Sequence, residues 1–191
     1  MLNIREHKLR QYAPRTWYNA TCADLTIAFV VDSASDGVAL NKLAAGAKYL
    51  EIDLMMSTLD SMLCCVEEIQ TRNLRYKTVN VVGNDICTFI KHGWTQSKLD
   101  KLVYNVLSEV HKFSPIVKVY SGGQTGADLA GALAGVMLSI NTEVTMPEGY
   151  LQRHKDGLDY NHTLQDVREQ LINGAKLLTG DLADERCLVL C

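Results

Sequence analysis

The chain lacks three features that would assign it to a class at once: an excess of charge of one sign, a long hydrophobic run, and cysteines at metal-binding spacing. Its 191 residues carry a formal net charge of −3, so no chain-wide basic surface for nucleic acid is expected. The longest uncharged run, residues 129–142, is too short to span a bilayer. The cysteines show no zinc-type spacing, so we expect free thiols, no metal and no cofactor.

Length and composition are those of one ordinary globular domain. Hydrophobic residues make up 47% of the chain and charged residues 21%, as in soluble proteins. Residues 1–10 are polar and charged, so we expect no secretion signal, no membrane partner and a cytoplasmic location. We expect an N-terminal arm over residues 1–20, a single domain over residues 21–191, and a homo-oligomer.

A glycine-rich turn is the strongest local signal. Residues 116–120 are an apolar strand, Gly122, Gly123 and Gly126 follow, and a helix begins near Asp128. Free amides at such a helix start, together with the helix dipole, favour an anion such as phosphate. No lysine follows Gly126, which excludes a Walker A loop. The alternative is a turn that only connects the strand to a closely packed helix.

A standard dinucleotide site is not expected. Ser121 stands where the Gly-x-Gly-x-x-Gly fingerprint has its first glycine, and Glu148 is the nearest candidate for the acidic residue of that fingerprint. The turn therefore matches half of the dinucleotide pattern.

The motif Ser-Gly-Gly-Gln-Thr-Gly-Ala-Asp of residues 121–128, with residues 146–149 and 155–157, resembles the molybdenum-carrier branch of the SLOG superfamily. That superfamily holds Rossmann-like domains related to the LOG phosphoribohydrolases and to the DNA-processing protein DprA. The similarity covers about residues 116–160 and implies binding of a nucleotide or nucleotide-derived ligand at this loop. The catalytic Pro-Gly-Gly-x-Gly-Thr-x-x-Glu motif of the LOG enzymes is absent, which counts against hydrolase activity.

Apolar strands alternate with helices along the chain. Strands are predicted at residues 24–32, 48–54, 78–82, 116–120 and 143–146, and amphipathic helices at residues 37–47, 57–69 and from 97 onwards. A further helix is predicted to start at Thr163 and to end at Asn173-Gly174, followed by short strands at 175–178 and 187–191. The pattern predicts an α/β, Rossmann-like three-layer fold with a central, mainly parallel sheet.

In such a fold, ligands bind beyond the carboxyl ends of the strands. We therefore expect the loops after four strands to form one site, covered by a lid of residues 147–162 in which Arg153 and Lys155 bind phosphate. The predicted ligand-binding residues are Asp32, Ser33, Gly83, Asn84, Asp85, Ser121, Gly122, Gly123, Gln124, Thr125, Gly126, Asp128, Pro147, Gly149 and Lys155.

Two carboxylates are candidates for catalysis. Asp32 follows a strand and could hold a sugar hydroxyl or act as a base, or it could only shape its loop. Asp128 could accept from a ribose hydroxyl, or it could cap the helix and complement its dipole. The cluster from His154 to His162 could clamp a phosphate or be a solvated loop.

These observations leave three function classes. The first is a binding module that senses or sequesters a nucleotide-derived molecule, such as an ADP-ribose-type signal, without turnover; superfamily members occur in bacteria–phage conflict. The second is a hydrolase of nucleotide N-glycosidic bonds. The third, a DprA-like interaction with nucleic acid, rests on the basic and aromatic residues of segment 1–20. We expect a binding module, and no nucleic-acid partner.

Overall fold

A central sheet of six parallel strands organises the protein, whose computed structural model describes residues 1–55, 67, 69 and 78–189, without the side chains of 184–189. The strand order is β3-β2-β4-β5-β6-β1. The strands are β1 (Leu2–Glu6), β2 (Leu25–Val30), β3 (Tyr49–Asp53), β4 (Thr78–Gly83), β5 (Lys118–Ser121) and β6 (Asn141–Met146). The predicted α/β, Rossmann-like three-layer fold is confirmed.

Helices cover both faces of the sheet. They are α1 (Tyr12–Cys22), α2 (Asp36–Ala45), α3 (Ile86–Lys91), α4 (Gln96–Phe113), α5 (Ala127–Met137) and α6 (Leu164–Val189). Successive side chains of a strand point to opposite faces: Ile27 packs in the cluster that holds α4 and α5, whereas Ala28 packs with Val38 of α2. Helices α1 and α2 therefore lie on one face, and α4, α5 and α6 lie on the other.

Helix α5 lies very close to the sheet because it presents glycines to the strands. An ideal Cβ built on Gly131 would lie 2.3 Å from Cβ of Val81, and one on Gly135 would lie 2.5 Å from Oγ1 of Thr142. Both distances are shorter than real contacts allow. The small residues of this helix therefore allow its backbone to approach the strands closely.

The first twenty residues contribute a strand to the sheet and most of a helix to the layer that covers one face of the sheet. Strand β1 extends the sheet beside β6, and α1 lies over the same end of the sheet. Buried Glu143 accepts hydrogen bonds from Arg5, Tyr18 and Lys118. Burial alone would raise the pKa of Glu143, but these three hydrogen bonds bring that pKa below its ordinary value. Arg5 and Tyr18 of this segment thus serve internal contacts.

The prediction for the C-terminal region is wrong. Helix α6 continues through Gly174 to Val189, and residues 175–178 are helical rather than a strand. Gly174 does not end the helix; an ideal Cβ there would lie 2.8 Å from Cδ2 of Leu133, so this glycine lets α6 approach α5. Of the other predicted strand, residues 187–189 are helical, and residues 190–191 lie outside the described part.

Two further predictions concern the connecting segments. The helix predicted over residues 57–69 lies outside the described residues, apart from Glu67 and buried Ile69. Residues 147–162, predicted as a polar loop, form a 3-10 turn (Glu148–Tyr150) and an antiparallel ribbon of β7 (Gln152–Arg153) and β8 (Asp159–Tyr160).

Candidate functional site

The sheet has a topological switch point at β2, because the next two strands along the chain lie on opposite sides of it. Strand β2 has β3 on one side and β4 on the other, and ligands of open α/β sheets bind at such a switch point. A cavity of about 250 Å³ opens beyond the carboxyl ends of β2 and β4. It is lined by Tyr12, Arg15, Thr16, Ser35, Gly37, Leu40, Asn41, Gly83, Asn84, Asp85, Thr88, Gln124, Thr125, Asp128 and Arg153.

One side chain fixes the two switch-point loops to each other. Oδ1 of Asn84 accepts hydrogen bonds from the amides of Val31 (2.8 Å) and Asp32 (3.0 Å). Its Nδ2 donates to the carbonyl of Asp32 and to Oγ of Ser35. Asn84 is 4% exposed, so its amide serves as a buried cross-link that holds the cavity floor in shape.

The N-terminus of α2 forms one wall of the cavity. The first amides of a helix have no acceptor within the helix, and the Ser35 side chain makes no capping bond to them. An ideal Cβ at Gly37 would meet nothing within 4 Å, so there is open space beside the first turn of α2. This wall is suited to an anionic or oxygen-rich group.

Two of the three glycines of the turn are required by close packing. Gly123 has a φ of +68° and Gly126 a φ of +98°, conformations that favour glycine. An ideal Cβ on Gly123 would lie 2.7 Å from Cγ1 of Val144, and one on Gly126 would lie 2.5 Å from the carbonyl oxygen of Asn84. Neither glycine lines the cavity.

The expectation that both of these amides are free for a phosphate is wrong. The Gly123 amide donates to Oγ of Ser121 (3.0 Å), and the Gly126 amide donates to Oε1 of Gln96 (2.7 Å). The Ser121 hydroxyl donates to the carbonyl of Asp128, so it closes the turn instead of reaching a ligand. These amides and this hydroxyl therefore join the turn to β5, to α4 and to α5.

The third glycine makes room for an arginine. An ideal Cβ on Gly122 would lie 1.3 Å from Nη1 of Arg15, so any larger residue excludes the guanidinium. Nη1 donates to Oδ2 of Asp128 at 3.0 Å, and the two side chains are 7% and 9% exposed. Burial raises the pKa of Asp128, and the Arg15 guanidinium offsets part of this rise. The predicted anion position thus carries an internal ion pair.

The interface between α1 and the sheet is unusually polar. Several buried side-chain atoms there have no hydrogen-bond partner among the described residues, namely Tyr12 Oη, Arg15 Nε, Asn19 Oδ1, Asn80 Oδ1 and Thr145 Oγ1. A buried group without a partner typically costs about 1–3 kcal/mol. Arg15 also lines the cavity, so its unpaired Nε belongs to a side chain of the α1 wall.

The β7–β8 ribbon is tied to the glycine turn. The Thr125 hydroxyl donates to the carbonyl of Arg153, whose amide donates to Oε1 of Gln124. Nε2 of Gln152 donates to the carbonyl of Gly123 at 2.7 Å. Gln124 and Thr125 line the cavity, but these hydrogen bonds hold the ribbon in place.

Several predicted site residues lie away from the cavity. Oδ1 of Asp32 accepts from the Ala34 amide (3.0 Å) and shapes its own loop, while Ser33 is exposed. Pro147 is buried, and the Gly149 amide donates to Oε1 of Glu6 (2.6 Å). Lys155 is exposed and is not among the cavity-lining residues. The loops after β2 and β6 therefore do not converge on the cavity through these residues.

Seven predicted residues do line the cavity: Gly83, Asn84, Asp85, Gln124, Thr125, Asp128 and Arg153. Sequence reasoning missed the walls supplied by α1 and α2, including Arg15, Gly37 and Asn41. Asp128 could have indicated a missing cation, because a carboxylate in a helix of alanines and glycines is expected to be buried and to need a positive partner. No local spacing indicates that this cation is Arg15.

Two histidines pair on the ribbon. Nε2 of His154 and Nε2 of His162 lie 3.0 Å apart, which fits one N–H···N hydrogen bond between the rings. Burial and the neighbouring His154 lower the pKa of His162 below its ordinary value, although Asp166 opposes this. In the part of the chain that is described, no group of three or more metal-ligating side chains is found.

Comparison of the chain with protein-family models, with curated proteins and with solved structures finds no match. Over the described ranges, no helix combines the length and the apolar character needed to cross a bilayer.

Proposed function

We propose that the protein binds a nucleotide or nucleotide-derived small molecule in the cavity beyond the carboxyl ends of β2 and β4, and that it senses or sequesters this ligand without turnover. The observation that carries the proposal is the position of the cavity at the topological switch point, where α/β sheets hold their ligands. Its walls supply the N-terminus of α2, the hydroxyl groups of Ser35 and Thr88, and two arginines.

The cavity volume favours a small ligand. Pockets for drug-sized molecules typically measure about 300–1,000 Å³, and this cavity measures about 250 Å³. A mononucleotide or a phosphorylated sugar suits this space better than an ADP-ribose-type molecule, which has two riboses and two phosphates. We therefore rank mononucleotides first among the probes.

Calorimetric titration with the common ribonucleoside monophosphates, ribose 5-phosphate and ADP-ribose tests the proposal. The variant Gly37→Phe should abolish binding, because its side chain enters the cavity from a position with open space around Cβ. Gly180→Phe is the matched control, since Gly180 also has nothing within 4 Å of an ideal Cβ and lies on α6 away from the cavity. Equal binding by wild type and both variants would place the ligand elsewhere.

Hydrolysis of an N-glycosidic bond is the second candidate, because Asp85 and Asp128 both line the cavity and this chemistry needs a carboxylate beside the ribose. Both carboxylates are engaged, however. Oδ1 of Asp85 accepts from the Thr88 amide at 2.8 Å, and Asp128 is paired with Arg15. Asp32, the other catalytic candidate, is not a cavity-lining residue. These contacts favour binding over turnover.

Chromatography of free base separates the two candidates. A binding protein incubated with nucleoside monophosphates, NAD or ADP-ribose releases no base above background. Base release at catalytic rates that Asp85→Asn or Asp128→Asn abolishes would establish the hydrolase instead.

A DprA-like interaction with nucleic acid has less support. The segment that suggested it uses Arg5 and Tyr18 to contact Glu143, so these residues are not arranged as a free stacking surface.

A further inference from the structure

Two arginines line the same cavity, and they differ in which edge of the guanidinium is occupied. For Arg153, Nε donates to Oδ1 of Asp159 at 3.0 Å, and Nη2 approaches Oδ2 of the same carboxylate at 3.4 Å. Nε and Nη2 form the fork that binds carboxylate and phosphate groups in a bidentate manner. The fork of Arg153 is therefore already used inside the protein.

The Nε–Nη2 edge of Arg15 has no hydrogen-bond acceptor among the described residues. Its hydrogen bond within the described chain runs from Nη1 to Asp128, which leaves the edge of Nε and Nη2. Nε is buried and lacks a hydrogen-bond partner among the described residues. A buried donor of a charged group without an acceptor is costly, and a ligand oxygen in the adjoining cavity would supply that acceptor.

The guanidinium is also held in a fixed place. Asp128 grips it from the first turn of α5, and Gly122 provides the space beside it. The ring of Tyr12 packs against it, with the Arg15 Cζ 5.4 Å from the ring centre. A cation held on three sides loses little freedom on binding an anion, which favours affinity.

We infer that Arg15 recognises the oxyanion of the ligand through its Nε–Nη2 edge, with Asp128 as the positioning residue. The inference rests on the proposed function and narrows it: the ligand carries a phosphate or carboxylate, and this group lies at the α1 wall of the cavity. The glycine turn then contributes to anion binding through the arginine that Gly122 admits, rather than through the amides of Gly123 and Gly126.

The test compares each ribonucleoside monophosphate with its nucleoside by calorimetric titration, so that the phosphate contribution is measured as a ratio of affinities. Arg15→Lys keeps a cation beside Asp128 but lacks the fork. It should lower this ratio by about tenfold or more, as expected for loss of hydrogen bonds between charged groups. Arg168→Lys is the matched control, and its effect should stay below about threefold because Arg168 is exposed on α6 and is not a cavity-lining residue.

A second pair of variants guards against loss of folding. The double variant Arg15→Met, Asp128→Asn removes both buried charges together, and it should fold and lose the preference for the monophosphate. Asp128→Asn alone should lower monophosphate affinity more than nucleoside affinity, since it frees the guanidinium to move. A merely structural role of Asp128 would lower both affinities equally.

The outcomes are distinguishable. If the wild type prefers a monophosphate and Arg15→Lys retains that preference, the phosphate is held elsewhere, for example by the α2 amides; the inference is then wrong and the proposed function stands. If the wild type binds no probe of the panel, both are wrong.

Discussion

Nη1 of Arg15 lies 3.0 Å from Oδ2 of Asp128, and this buried ion pair joins two segments that are 113 residues apart in the chain. It explains Gly122, since the guanidinium occupies the space of a side chain at that position. It also explains how a carboxylate is accommodated in a helix of alanines and glycines. The pair links α1 to the glycine turn at the edge of the cavity.

Gly122→Ala should destabilise the protein, because its Cβ would overlap Nη1 of Arg15 and separate the ion pair. Separating a buried pair typically costs about 3–5 kcal/mol, and we expect a loss of about 3 kcal/mol in the free energy of unfolding, measured with urea. Gly37→Ala is the control: it meets open space in the first turn of α2 and should leave stability equal or slightly higher. Equal stability of Gly122→Ala and wild type would contradict the placement of Arg15.

Asp128→Asn should cost more stability than the double variant Arg15→Met, Asp128→Asn. The single change leaves a buried guanidinium without a counter-charge, for which about 3–5 kcal/mol is typical, whereas removal of both charges is often nearly neutral. Chemical denaturation of the variants at one pH measures both effects. If the single variant is as stable as the double, Arg15 and Asp128 are not coupled in solution.

Asp100 predicts a pH dependence of stability. Burial raises its pKa to about 7, although a hydrogen bond from Gln96 acts in the opposite direction. The folded protein then holds a proton that the unfolded chain releases near pH 4, so the free energy of unfolding falls as pH rises from about 4 to about 7. Relative to Asp100→Asn, wild type should lose about 2 kcal/mol between pH 5 and pH 8. A constant difference between the two proteins over this range would show that Asp100 has an ordinary pKa.

The histidine pair predicts acid sensitivity of the ribbon. Because the pKa of His162 is lowered by burial and by His154, the folded state releases a proton that the unfolded chain binds below about pH 6.5. Its contribution to stability is therefore lost as pH falls below that value. In NMR titrations, His162 should titrate below its ordinary pKa, and His154→Asn should raise the pKa. An unchanged His162 titration in that variant would mean that the rings do not interact.

The layers of the fold follow from the sequence, because apolar strands buried on two faces and amphipathic helices are local patterns. Strand β1 escaped prediction, since Leu2 and Ile4 are its only apolar residues after Met1 and its pairing with β6 is long-range. The end of α6 was misplaced because Gly174 resembles a helix stop, whereas it serves contact with Leu133. A glycine's role depends on its neighbours in space.

The candidate site was partly predictable for a similar reason. The carboxyl ends of β4 and β5 mark Asn84, Asp85 and Gln124 as site residues by topology alone. The sequence alone does not reveal which polar groups are already used within the fold, as at Ser121. Nor does it reveal that α1 crosses the sheet and places Arg15 over the glycine turn.

Native mass spectrometry of the purified protein, incubated with the ribonucleoside monophosphates and compared with Gly37→Phe, tests the central claim most directly. We predict that the wild type retains one phosphorylated molecule of mononucleotide size per chain. Gly37→Phe should retain none, and Gly180→Phe should behave as wild type. Retention of no monophosphate by the wild type, or equal retention by Gly37→Phe, would contradict binding in the cavity beyond the carboxyl ends of β2 and β4.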